Sequence, residues 1–395
     1  MKRGKGFALM AGLALLVAAC GGSSTSSEPA ASEKPAGWLE SIGAGEGALN
    51  LIIWEGYAER GAVDPAYDWV TDFEAETGCK VNTTSMTDSA NGVQLLQSGE
   101  YDGGSFSGDA SVRLMKAGDV APINVSLLAN YANVFSGLKD KSHNSMDGMP
   151  YGVPHGRGAN VLMWNTAAVT EAPTSWDPVW EGGAAYAGKI SVYDSSIYIA
   201  DAAIHLMATK PELGIKDPYQ LNDEQFAAAI ALLEMQRDNG AVYWGTAADQ
   251  ITSFASGDLV VGTTWQYQAN MLAAEPAIKV ETTLPAEGST GWSDTWMVAK
   301  DTKNINCSYK WLDWIAGPTA NAQVAEWFSE APANSKACAQ TSDPTFCDQY
   351  HAADEAYYSN VYWWNTPSEK CVDGRTDVTC VPYSEWSKAW SSLRS

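Results

Sequence analysis

Basic residues and histidine are scarce in this chain: its 395 residues carry 24 Lys and Arg against 47 Asp and Glu, with only 4 His. A net charge of −23 disfavours nucleic acid and anionic lipid surfaces as partners, because phosphates require a positive footprint. Solubility, a saline habitat and the steering of a cationic ligand all remain compatible with this balance. So few histidines offer few general bases, and no H-E-x-x-H or G-x-S-x-G stretch occurs. No two cysteines have the C-x-x-C spacing of a zinc site. An exported enzyme is therefore disfavoured, and neither a cofactor nor a metal is expected. Long apolar runs are missing beyond the start of the chain, so no stretch of the body reaches bilayer-spanning length.

What is present begins at the N-terminus. Lys2, Arg3 and Lys5 precede an apolar run from Phe7 to Ala18, and Val17-Ala18-Ala19-Cys20 follows. Residues 1–19 read as a secretory signal ending in a small-residue cleavage site. The pattern resembles a bacterial lipoprotein lipobox, which implies that Cys20 is lipidated and becomes the new N-terminus. A signal-anchor is the alternative, disfavoured by the run's short length and by a cysteine at the cleavage point. Residues 20–47 are expected as the lipidated cysteine and a flexible tether, since GGSSTSSEPAASEKPAG (21–37) has nothing to bury. The protein is then periplasmic or on the cell surface, held to a bacterial membrane by its lipid. Removing three basic residues with the signal leaves 21 against 47 acidic ones, a net charge of −26.

Six cysteines remain after Cys20, an even number suited to an oxidising compartment. Cys338 with Cys347 and Cys371 with Cys380 are the cheapest loops to close, leaving Cys79 and Cys307 for a long-range bond. Fifteen connectivities are formally open.

The remaining body of about 350 residues is too long for one ordinary core and predicts two domains. Short apolar strands alternate with amphipathic helices, the pattern of α/β layers around mainly parallel sheets. Strands are expected at Leu49–Trp54, Cys79–Thr84, Tyr151–Pro154, Ala159–Trp164, Lys189–Tyr193, Leu259–Thr264 and Trp296–Ala299. Helices are expected at Val63–Thr77, Ala90–Ser98, Ile199–Ala208, Asp223–Asp238, Ser308–Ile315 and Thr319–Phe328. Gly183 to Lys189 has P-loop spacing, but Ile190 replaces the required Ser or Thr, and a strand follows instead of a helix, so it reads as a turn.

Six segments in order carry a resemblance: LNLIIWEGYAE (49–59), LLQSGEYDGGSFSGD (95–109), PYGVPHGRGANVLMWN (150–165), TSWDPVW with AGKISVYDS (174–195), FASGDLVVGTTW (254–265) and GWSDTWMVAK (291–300). Their succession resembles periplasmic spermidine/putrescine-binding proteins, the substrate-binding components of ABC importers. The resemblance implies a type II-like periplasmic-binding-protein fold of two α/β lobes with a hinged ligand cleft. Residues 48–154 and 295–332 would form lobe 1. Residues 155–294 would form lobe 2, with the disulfide-rich tail 333–395 packed on it. Cys79 and Cys307 would then share a lobe. The partners implied are a small cationic ligand and a permease with separate ATPase subunits, the binding protein itself being a monomer.

An organic cation needs aromatic faces for its methylenes and charge, and carboxylates for its nitrogens. Seventeen tryptophans is a high count, and several fall where strands give way to loops. Read singly, each is better explained by core packing. By resemblance, Trp54 and Tyr57 match the family's W-x-x-Y, Trp265 matches another family tryptophan, and Trp292 with Asp294 match the W-x-D whose carboxylate pairs with a ligand amine in that family. Ser107 matches a polar contact. Asp109, where the family has an aromatic, either adds a carboxylate to the cleft or caps the helix near Ala110. The family's second pair of ligand carboxylates becomes Ser195 and Tyr198, with Asp194 as a neighbour. That departure admits a ligand with one cationic end, including a quaternary ammonium. A neutral sugar stacked on tryptophan is a further alternative. The tail segment 362–365 is a possible extra contact, Tyr357 and Tyr358 are read as packing residues, and His155 and Arg157 as braces of the hinge.

Overall fold

The computed structural model describes Trp38–Ser395. The signal, Cys20 and the tether to residue 37 lie outside the described residues. Among those described, no helix is long and apolar enough to cross a membrane, and no group of His, Cys, Asp and Glu is placed to hold a metal ion.

Two five-stranded sheets share one plan. In the first, Lys80–Ser85, Ala48–Ile53 and Gly103–Phe106 run parallel, followed by Thr295–Val298 antiparallel and Gly152–Pro154 at the edge. In the second, Val242–Trp244, Ile190–Tyr193 and Val261–Thr264 are parallel, and Val161–Asn165 then Val280–Thr283 complete the order. The twofold period of a strand places alternate residues on opposite faces. Leu49, Leu51 and Ile53 accordingly join one core with Trp69, Phe73 and Trp311, whereas Ile52 joins another with Phe106 and Leu114. Leu162 and Trp164 likewise face one core of the second sheet and Met163 the other. Both sheets are thus buried on both faces, as sheets with parallel strands require.

A third, four-stranded sheet lies where the chain crosses between these two. Gly156–Ala159 follows the edge strand of the first sheet and precedes Val161–Asn165 of the second, while Ser289–Trp292 leads back to Thr295–Val298. The two crossings pair antiparallel, Gly291 with Ala159 and Trp292 with Gly158. Ala331–Pro332 adds to one side and Val361–Trp363 to the other.

Helix boundaries follow local chemistry. Gly78, at φ 71°, ends Val70–Thr77 by donating to the Glu74 carbonyl. Asn222 and Gln225 form a reciprocal capping box at the start of Asp223–Asp238, both bonds 2.9 Å. The helix expected from Val63 begins only at Val70. Asp64-Pro65 opens a turn instead, because the residue before proline disfavours the helical region, and Gly61 donates to the Tyr67 carbonyl. Residues 38–47, expected with the tether, are docked: Asn124 donates to the Leu39 carbonyl, and Glu46 accepts from the backbone of Asn306 and Cys307 at the start of helix Ile305–Ile315.

Disulfides join Cys79 to Cys307, Cys338 to Cys347 and Cys371 to Cys380. The first lies fully buried in the first sheet's core and spans 228 residues. The tail divides its packing. Phe346 and Tyr350 lie on Ala325 of helix Pro318–Phe328, whereas Trp364, Trp386 and Trp390 enter the second sheet's main core. The Gly183–Lys189 segment forms turns before strand Ile190–Tyr193.

Replacing both Cys79 and Cys307 with Ala should destabilise the fold by roughly 2–5 kcal/mol, read as a lower Tm with unchanged far-ultraviolet circular dichroism at 20 °C or so; an unchanged Tm would show that the closed loop contributes nothing. Asp201, under the crossover sheet, accepts from the Thr290 hydroxyl at 2.9 Å, and burial pushes its carboxyl up to about 7. The folded state therefore holds a proton that the unfolded chain releases near the usual carboxylate range, so stability falls as pH rises towards 7. Tm should decline from pH 5 to 8 in the wild type, and less steeply in Asp201→Asn.

Candidate functional site

A cavity of about 890 Å³ opens where the C-terminal ends of the parallel strands of both sheets converge on the crossover sheet. The chain leaves each strand end into a loop that lines it. Trp54 to Tyr57 follow Ala48–Ile53, Met86 and Thr87 follow Lys80–Ser85, and Ser107 follows Gly103–Phe106. From the second sheet come Tyr193, the Gly245–Ala247 turn and Trp265. The crossings supply Arg157, Trp292 and Asp294.

Asp294 is 3% exposed. Its Oδ1 accepts from the Ser107 hydroxyl at 2.6 Å and its Oδ2 from the Tyr57 hydroxyl at 2.8 Å. Burial pushes its carboxyl up to about 6, an effect the two hydroxyl donors oppose and the charge of Asp109 reinforces. Burial, reinforced by the negative charge of Asp294, drives the Tyr57 phenol well above its ordinary value, so it stays a donor. Its ring stacks on His155 at 4.0 Å and meets the edge of Phe328 at 4.6 Å. Aromatic rings form the opposite wall. Tyr193 lies parallel to Trp364 at 5.8 Å and contacts Trp265, itself edge-on to Trp244 at 5.0 Å. Trp292 lies on Gly158, where a Cβ would come within 2.6 Å of the indole, so only glycine admits the ring there. The arrangement offers flat apolar faces and, at Asp294, a buried acceptor group, suited to a small molecule with an apolar body and a positive end.

Of the residues singled out from sequence, Trp54, Tyr57, Ser107, Trp265, Trp292 and Asp294 line this cavity. Asp109, Ser195 and Tyr198 do not. Asp109 sits in the first turn of helix Gly108–Ala117 and accepts from the Ser89 hydroxyl at 2.8 Å. Ser195 caps the short turn Ser196–Tyr198. Tyr198 is turned into the second sheet's core, stacked near Trp180 and bonded to Gln236, because its strand-to-helix turn buries it. Asp194, the remaining acid there, accepts from Trp390 and Arg394 of the terminal helix.

Other lining residues carried weaker sequence signals. Tyr193 ends a strand just as the residues before Trp54 and Trp265 do. Trp364 comes from the tail segment, and Tyr357 and Tyr358 line the cavity as well as packing. Tyr358 covers the Arg157 guanidinium at 3.8 Å, while Arg157 pairs with Glu355 at 2.9 Å, so this arginine braces the tail against the crossing. Glu330 had no signal at all. Across the cavity, Asn270 of helix Gln266–Ala273 bonds the Tyr350 hydroxyl.

Residues 68–352 match the family model described as bacterial extracellular solute-binding protein. The chain is 26% identical over 316 residues to the putrescine-binding periplasmic protein PotF of Escherichia coli K12, covering 75% of this chain and 80% of that one. It is 22% identical over 331 residues to the spermidine/putrescine-binding periplasmic protein of the same strain, covering 81% and 91%. Among solved structures, the spermidine/putrescine ABC transporter substrate-binding protein PotD of Streptococcus pneumoniae superposes with a TM-score of 0.67 at 17% identity, over 88% of this chain and 97% of that one. The Atu4243-GABA receptor gives 0.65 at 19%, over 88% and 98%. These likenesses establish the two-lobed periplasmic-binding-protein fold, and with a family model matched over most of its length the chain belongs to the bacterial extracellular solute-binding proteins.

Proposed function

We propose that this protein is the substrate-binding component of an ABC importer, tethered by a lipidated Cys20 and working as a monomer, that captures a polyamine or related organic cation in the cavity. The observation that carries the reading is Asp294: a buried carboxyl on an aromatic cavity, both oxygens oriented by hydroxyl donors. Putrescine and spermidine binding by the relatives supports the same class of ligand. One ammonium pairs with Asp294 while its methylenes lie along Trp54, Trp265 and Trp292. Glu55, Glu59 and Glu326, less buried on the same lining, are available to a second nitrogen. We assign residues 48–154 and 295–332 to one lobe and 155–294 to the other, with the paired crossings as hinge and the tail bridging both. The excess of acidic charge draws the cation in, an effect that salt weakens.

A second reading is a neutral sugar. The indole N–H groups of Trp54, Trp292 and Trp364 are buried without acceptors among the described residues, and ring hydroxyls would satisfy them.

Thermal-shift and calorimetric titration with putrescine, spermidine, choline and a panel of sugars separates the two, since a ligand bound to the native state raises Tm. Asp294→Asn should weaken cation binding about 10- to 100-fold, as expected for a lost hydrogen bond to a charged group; equal affinity in wild type and variant, with a sugar bound, would favour the second reading. Because the ligand-free carboxyl keeps its proton below about 6, wild-type cation affinity should fall as pH drops through that value, a dependence Asp294→Asn should reduce.

A further inference from the structure

Glu330 also lines the cavity. Its side chain is 0% exposed, and neither carboxyl oxygen meets a hydrogen-bond donor among the described residues. The backbone holds it there. Ser329, at φ 53°, ends helix Pro318–Phe328 in the left-handed region, Glu330 donates to the Ala325 carbonyl, and Ala331–Pro332 pairs with Arg157 and Gly156 of the crossing strand. A Cβ at position 156 would stand 2.2 Å from Oε1, so Gly156 makes the room the carboxyl occupies.

The groups facing it supply no positive charge. His155 Nε2 lies 3.7 Å from Oε1. Its Nδ1 takes the indole N–H of Trp296 at 2.8 Å, and since an indole nitrogen only donates, the network puts the single imidazole proton on Nε2. Burial lowers the ring's pKa to about 3, which keeps it neutral. Asp294 and the phenols of Tyr57 and Tyr358 are the remaining titratable neighbours, none of them cationic. Arg157, adjacent along the strand, is turned to Glu355 and the Ala352 carbonyl beneath Tyr358. Burial, reinforced by the like charge of Asp294, raises the Glu330 carboxyl well above its ordinary value. An isolated buried carboxylate is costly, so the group holds a proton until a cation arrives.

We propose that Glu330 is a second cation-pairing residue of this cavity, reserved for an N–H donor of the ligand, so that the ligand is a primary ammonium or guanidinium compound and not a quaternary ammonium. The inference rests on the cation reading of the site. On binding, the Glu330 O–H bond breaks, its proton passes to solvent, and the resulting carboxylate accepts an N–H of the cation; one proton is released and no other bond changes. A quaternary ammonium has no N–H to offer and leaves Glu330 protonated.

The test is calorimetric titration of the wild-type chain, Glu330→Gln and Asp294→Asn with putrescine and with choline, at pH 7.5–8 in buffers of different ionisation enthalpy. At that pH Asp294 is already largely ionised, so protons released by the wild type report Glu330. Expected are proton release with putrescine, its loss in Glu330→Gln together with about a 10-fold drop in putrescine affinity, and choline affinity that is weaker and indifferent to position 330. Putrescine binding without proton release in the wild type, or an unchanged affinity in Glu330→Gln beside a weakened Asp294→Asn, would overturn the role of Glu330 and leave the cation site standing. No cation bound by the wild type, or none of the affinity lost in Asp294→Asn, would overturn the cation reading and this inference with it. The wild-type proton count decides the matter even if a variant fails to fold.

Discussion

The structure depends on two crossings of the chain hydrogen-bonding to each other. Where Gly156–Ala159 and Ser289–Trp292 pair, the polypeptide passes from one five-stranded sheet to the other and returns. The crossing strands are largely buried, and left without partners their backbone donors and acceptors would cost free energy comparable to lost hydrogen bonds. Pairing them, and flanking them with Ala331–Pro332 and Val361–Trp363, satisfies those groups. It also fixes side chains from distant parts of the sequence around one cavity. Asp294 and Trp292 leave one crossing, Arg157 the other, Glu330 directly precedes one flanking strand and Trp364 directly follows the second. Small residues make this possible: Gly158 carries the Trp292 ring, Gly156 admits the Glu330 carboxyl, and Gly291 accepts the backbone N–H of Trp364.

The same compactness creates the electrostatics. Carboxyl groups held in a dry, aromatic surround lose hydration and keep protons that they would shed in water. Asp294 is partly compensated by Ser107 and Tyr57, Asp201 by Thr290, and Glu330 by nothing within bonding distance among the described residues. These acids do not help the ligand-free fold at neutral pH. In the proposed cation site that cost is useful, because the cation gains the pairing the protein lacks, and the empty and loaded states then differ in free energy.

Much of this was legible in the residues. The apolar run Leu49–Trp54 and the helical stretch Asp223–Asp238 are set by neighbours a few positions away, so local pattern and final structure agree there. Trp54 and Trp265 stand where apolar runs end, but they, Tyr57, Trp292 and Asp294 were singled out as a set by the six segments that resemble the polyamine-binding family. Gly103–Phe106, the third strand of the first sheet, was not legible as a strand. Its two glycines carry no strand propensity, yet a Cβ at Gly103 would meet the Met297 carbonyl oxygen at 2.1 Å, so it is the neighbouring strand that demands glycine there. Asp109 and Tyr198 stand at the turns between strand and helix, where a one-residue rotation decides between the cavity and the core.

By itself the sequence determined an acidic body of α/β pattern, an even set of cysteines in it, and aromatics where apolar runs end. These are consequences of composition and short-range periodicity. Tertiary structure alone decided that the tail bridges both sheets, that Ser195 and Tyr198 turn away while Tyr193 and Trp364 close the aromatic wall, and that Glu330 faces the same cavity as Asp294. Nothing near position 330 announces that role. It arises because strand pairing brings Ala331–Pro332 against Gly156 and Arg157, more than 170 residues earlier by roughly counting along the chain, and burial at that junction removes the water that would have made an ordinary surface glutamate of it.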